Sequence, residues 1–111
     1  MSAQVDRVSF PEARILVVDN EEEIRSSLAR ALGLLGYGVD EAGSGAQAMA
    51  MLASNPYDVA VVDIVMPDPH GPDGIEVLRW AHQERPHVSI ILLTGKPTKE
   101  YLVDGLKLHA D

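Results

Sequence analysis

Three short, nearly continuous apolar runs constrain this chain most: Ile15-Leu16-Val17-Val18, Tyr57-Asp58-Val59-Ala60-Val61-Val62, and Val88-Ser89-Ile90-Ile91-Leu92-Leu93. A strand with one wet face alternates apolar and polar residues, whereas a run without alternation marks a strand buried on both faces, as in a parallel sheet. Helical patterns separate the runs. From Glu22 to Leu35, Ile24, Leu28, Ala31, Leu32 and Leu35 fall at helical spacing, with acids at the start and Gly36 just after the end. Ser44 and Gln47 have the spacing of a capping box, Ala48, Met49 and Leu52 give an apolar face, and Asn55-Pro56 ends this second helix. Ile75, Leu78 and Ala81 begin a third, reaching about Glu84 before Pro86. Tyr37 to Ala42 reads as a more polar strand near a sheet edge, and a weaker helix carries Leu102, Val103 and Leu106. Parallel neighbours need right-handed helical crossovers, so the alternation predicts an α/β fold, a doubly wound parallel sheet with helices on both faces.

At 111 residues the chain has room for one domain. Residues 1–12 are polar and read as a flexible lead-in, and residues 13–111 as the folded body. A net charge of -8 argues against direct nucleic-acid binding, which draws its affinity from clustered Lys and Arg. The absence of cysteine excludes disulfides, thiolate metal sites and a cysteine nucleophile. With no apolar run of spanning length and no basic start followed by an apolar stretch, neither a membrane helix nor a signal peptide is expected, and a cytoplasmic location is.

In an open parallel sheet the functional crevice lies beyond the carboxyl ends of the strands. Asp19 and Asn20 follow the first apolar run, Asp63 the second and Thr94 the third, so segments far apart in sequence are expected to bring two carboxylates, an amide and a hydroxyl to one pocket. Such a set of hard oxygens suits Mg²⁺, which takes few protein ligands and fills its shell with water and phosphate. A cation there would offset the repulsion between an anionic phosphodonor and the acidic pocket, freeing Asp63 to attack phosphorus. The competing reading is that strand-end Asp and Asn residues merely cap turns and helix starts.

The segments Val17-Val18-Asp19-Asn20-Glu21, Val61-Val62-Asp63-Ile64-Val65-Met66-Pro67 and Leu92-Leu93-Thr94-Gly95, in this order and on the expected strand ends, resemble the response-regulator receiver family. The match begins at about Arg14 and runs to the last residue. The resemblance implies the flavodoxin-like receiver fold with strand order 2-1-3-4. It implies Asp63 as phosphoacceptor, Asp19 and the Val65 backbone carbonyl as Mg²⁺ ligands beside Asn20 and Asp63, and Thr94 as a switch hydroxyl. The phosphodonor implied is a histidine kinase or phosphotransfer protein, the output a partner surface or downstream effector domain. Such a protein accepts a phosphoryl group and is not otherwise an enzyme.

Several residues depart from the family pattern. Asn20 stands where a second acid is usual, which predicts weaker Mg²⁺ binding, and Glu21 either replaces that charge or serves as a first-turn helix acid. The loop after Met66-Pro67 is about three residues longer than usual before Gly74, and its His70 reads as a solvated loop residue. The family's fifth strand, active-site Lys and last helix are expected beyond Asp111, and Lys96-Pro97 lies in the wrong loop to replace that Lys. Val88 to Leu93 would then present a bare sheet edge, to be covered by homodimer formation, strand exchange or another chain. Trp80 reads as a half-buried aromatic beside the core. The alternatives to a phosphoacceptor are a phosphorylation-independent interaction module and an aspartyl-phosphate hydrolase. The latter is disfavoured because Val65 stands where such enzymes carry a second Asp.

Overall fold

The computed structural model describes residues 13–66 and 71–93. Within these residues each apolar run becomes a strand and each periodic segment a helix, giving β1 (Arg14–Val18), α1 (Glu22–Leu34), β2 (Gly38–Ala42), α2 (Gly45–Ser54), β3 (Val59–Asp63), α3 (Gly74–Glu84) and β4 (Ser89–Leu93), while the weaker helix expected at Leu102, Val103 and Leu106 lies outside the described residues. The strands pair in parallel in the order β2-β1-β3-β4, as expected, with the polar β2 at one edge. Side chains alternate across a strand, so each central strand feeds two cores. Leu16, Val18, Ala60, Val62 and Ile90 pack beneath Ala48 and Leu52 of α2 and Val77, Leu78 and Ala81 of α3. Ile15, Val17 and Val61 meet Leu28, Ala29 and Leu32 of α1 on the opposite face. Covered on both sides, β1 needs no alternation. Trp80 is partly buried against the larger core, as its sequence position suggested.

Two expectations need correction. The third run predicts a strand buried throughout, yet only Val88 and Ile90 of it are buried, while Ile91 is 50% and Leu93 41% exposed. The core on their side of the sheet is built over β1 and β3, with α1 contributing Leu28, Ala29 and Leu32 and nothing of β4 included. Nor does α1 present its expected stripe, for Ile24 is 51% and Leu35 68% exposed. The stripe that packs on the sheet is Leu28, Ala29 and Leu32, and extending it one turn back by helical spacing reaches Arg25.

The helix ends show why the chain breaks where it does. Gly36 adopts φ 102 after the Leu35 C-cap of α1. Its amide donates to the Gly33 carbonyl and the Tyr37 amide to that of Leu32, a Schellman closure in which Leu32 and Tyr37 also share an apolar cluster. At the start of α2, the Ser44 hydroxyl accepts from the Gln47 amide, but the Gln47 side chain returns to the Gly43 amide, one residue before the cap, so the expected reciprocal box is displaced. A full capping box forms instead at α3, where Asp73 and Glu76 exchange side-chain and backbone bonds.

No basic residue lies in the last turn of α2, yet its carbonyls are served from a distance. Arg85, the C-cap of α3, donates through its guanidinium to the carbonyls of Leu52 at 3.1 Å, Ala53 at 2.9 Å and Glu84 at 2.7 Å. This clamps two helix ends together, and charge-assisted bonds of this kind contribute about 1.5–3 kcal/mol. Arg85→Ala should lower the urea midpoint by the equivalent of about 2 kcal/mol. An unchanged midpoint would mean that water serves those carbonyls equally well.

At the amino end of the sheet the Tyr57 hydroxyl donates to Asp40 at 2.7 Å, and Arg14 pairs with the same carboxylate at 2.8 Å. Burial, then the bond to Asp40, push the Tyr57 hydroxyl up to about 12. The folded protein therefore keeps a proton that the unfolded chain releases near the ordinary tyrosine value of about 10. That stabilisation is complete below about pH 10 and disappears as pH rises toward 12, so the wild type should lose melting temperature over this window and Tyr57→Phe should lose less.

Candidate functional site

Val18 pairs with Val62, so the next residue of each strand, Asp19 and Asp63, stand side by side at the carboxyl end of the sheet. The Asp19 amide donates to the Ala42 carbonyl and the Ile64 amide to the Leu93 carbonyl, extending the ladders past both acids and fixing their backbones. Each carboxylate closes the same small turn. Asp19 Oδ1 accepts from the Glu21 amide at 2.9 Å, and Asp63 Oδ1 accepts from the Val65 amide at 3.1 Å. The turn-capping alternative is thus fulfilled for one oxygen of each acid, and it aligns the two side chains rather than consuming them.

Asp19 is buried at 7% exposure, the buried charged residue of the described core, and it stands beside half-buried Asp63, close enough for its charge to act on that carboxyl. The Asp63 carboxyl is raised above its usual range, first by loss of solvent and then by the neighbouring charges of Asp19 and Glu21. The Val65 amide opposes the shift. Two carboxylates forced together in partial burial form a pocket whose repulsion a divalent cation relieves. Asn20 follows Asp19 in the turn and is exposed, and Val65 is 39% exposed immediately beyond Asp63. Among the described residues no group of three or more His, Asp or Glu side chains is arranged to hold a metal, so any ion here would rely on two carboxylates supplemented by neutral oxygens and water. That donor chemistry fits Mg²⁺.

The backbone of α3 reaches this pocket too. Gly74 is buried at the start of the helix, and a Cβ built there would press on the Asp63 carbonyl oxygen and the Ile64 Cα. Gly45, at the start of α2, is seated in the same way on the Pro72 carbonyl. The Asp73 to Glu76 cap and these two close approaches hold the chain that leaves Asp63. The Asp-x-x-Glu spacing at Asp73 is a legible capping signal that the sequence reading passed over. Thr94, like His70 and Lys96, lies outside the described residues.

A model of the response regulator receiver domain family matches residues 15–111. The chain belongs to that family. Among curated relatives, the response regulator MprA of Mycobacterium avium (strain 104) is 39% identical over 98 residues, covering 88% of this chain and 42% of the relative. The chain therefore spans about two fifths of the length of such relatives. A CheY-like receiver domain protein from Methanospirillum hungatei JF-1 superposes with TM-score 0.81 at 33% identity, covering 89% of this chain and 77% of the other. Response regulator TrrA from Thermotoga maritima, solved in complex with Mg²⁺ and BeF, gives TM-score 0.74 at 38% identity, covering 83% and 76%. The paired acids thus sit in a receiver domain of two-component signalling. Among the described residues no helix is long and apolar enough to cross a membrane.

Proposed function

We propose that this receiver domain accepts a phosphoryl group on Asp63 from a histidine kinase or phosphotransfer protein and changes its partner surface in response. The single observation that carries the reading is the register of β1 on β3, which sets the buried Asp19 beside Asp63 and leaves the latter's charge disfavoured. Asp19, Asp63, the Asn20 amide and the Val65 carbonyl hold Mg²⁺ in this reading. When bound, the ion neutralises charge on the pocket and on the transferred group. Asp63 uses Oδ1 to hold the Val65 turn, and its other oxygen forms the new bond to phosphorus as the bond from phosphorus to the donor nitrogen breaks. The added phosphoryl dianion then draws the Thr94 hydroxyl and its loop, which biases the surface between two states.

Here the domain is cytoplasmic, binds neither nucleic acid nor membrane directly, and passes its signal to an effector domain or a partner. Its partners in this reading include a second copy of the domain, as a homodimer or by strand exchange. Its only catalysis is its own phosphorylation and dephosphorylation. Incubation with acetyl phosphate and Mg²⁺ should add the mass of one phosphoryl group, and EDTA should prevent it. An unchanged intact mass, together with no saturable Mg²⁺ binding, would favour a phosphorylation-independent interaction module, the reading that Asn20 in the place of an acid supports.

A further inference from the structure

We propose that Arg25 is a positioning residue for the metal-binding turn, an inference that rests on the Mg²⁺-dependent phosphoacceptor reading. Arg25 occupies the sheet-facing side of α1, where helical spacing calls for an apolar residue, and its side chain is only 17% exposed. Its guanidinium makes two separate bonds, Nη1 to the Asp19 backbone carbonyl at 3.0 Å and Nε to Glu41 Oε1 at 3.0 Å. Glu41 is held in turn by the Ser26 hydroxyl at 3.2 Å, and Gly43 leaves the space in which the guanidinium lies, since a Cβ there would come 3.0 Å from Nη1. The planar fork thus ties the first residue beyond β1 to the end of β2, fixing the peptide that orients Asp19 and carries Asn20. Its charge faces the carboxylate of Glu41 directly, while only the backbone of Asp19 is touched, so the contact to the pocket is one of geometry.

Three roles for Arg25 give different results when Mg²⁺ titration is paired with thermal melting. If it positions the turn, Arg25→Gln weakens Mg²⁺ binding about tenfold by calorimetric titration of the metal alone. If it acts only as a nearby positive charge, removing it strengthens Mg²⁺ binding. If it only supports the fold, the melting temperature falls and Mg²⁺ affinity stays. Arg25→Lys keeps the charge but not the fork, and should recover little of the loss, whereas Glu41→Ala removes one anchor and should reproduce part of it. Should Arg25→Gln fail to fold, these two variants decide by the same readout. Saturable wild-type binding that is unchanged or tightened in the variants overturns the positioning role alone. No saturable binding by the wild type overturns the phosphoacceptor reading and this inference with it.

Discussion

Gly74→Ala is expected to cost about 3 kcal/mol of stability, although alanine is the better helix former by about 1 kcal/mol. The sign follows from where the new methyl group would go. It would press on the Asp63 carbonyl and the Ile64 Cα, backbone atoms at the end of an inner strand that cannot swing aside as a side chain would. Nor can α3 retreat freely, because Val77, Leu78 and Ala81 are locked in the larger core. Gly33 provides the control. It lies in α1 with nothing within 4 Å of a built Cβ, so Gly33→Ala should be neutral or stabilising by about 0.5 kcal/mol. Urea unfolding of both variants checks the pair. Equal stabilities would show that the start of α3 yields to the methyl group and does not brace the turn after Asp63.

The second large effect concerns Asp63 itself. Its folded pKa lies above the unfolded value, so near the acid range the native state holds a proton that the unfolded chain has released. The ionised carboxylate therefore subtracts from stability above the raised pKa, and the penalty fades as pH falls below the ordinary carboxylate value of about 4. Asp63→Asn removes the charge and keeps an oxygen for the Val65 amide. At neutral pH without metal it should gain about 0.5–1 kcal/mol, allowing for solvent screening at a half-exposed site, or about 3–6 °C in Tm. The gain should vanish in acid. Mg²⁺ reverses the order, because a ligand at a hundred times its Kd stabilises the native state by about 2.7 kcal/mol. The wild type should show that rise and Asp63→Asn should not. A variant less stable than the metal-free wild type at neutral pH, or equally stabilised by Mg²⁺, would contradict the charge-repulsion account.

Much of this was legible in the residues. The apolar runs at Ile15 and Val59 gave the buried central strands because both their faces are covered, and the polar Gly38–Ala42 segment gave an edge. Side-by-side placement of Asp19 and Asp63 followed from strand ends alone, since neighbouring parallel strands deliver their last residues to the same side of the sheet. Local pattern failed where distant partners decide the outcome. The exposure of Ile91 depends on where the core over β1 and β3 ends, and the sheet-facing place of Arg25 on α1 is matched by Asp19 and Glu41, which lie on other segments. Arg85 capping a helix 32 residues earlier leaves no trace in either segment.

Chemical identification of the phosphorylated atom tests the role of Asp63 most directly. Treating the acetyl phosphate product with sodium borohydride reduces an acyl phosphate to an alcohol, so peptide mapping should find homoserine in place of Asp63, only when Mg²⁺ was present. Label on Asp19, on Glu21 or on a hydroxyl, with Asp63 intact, would contradict it.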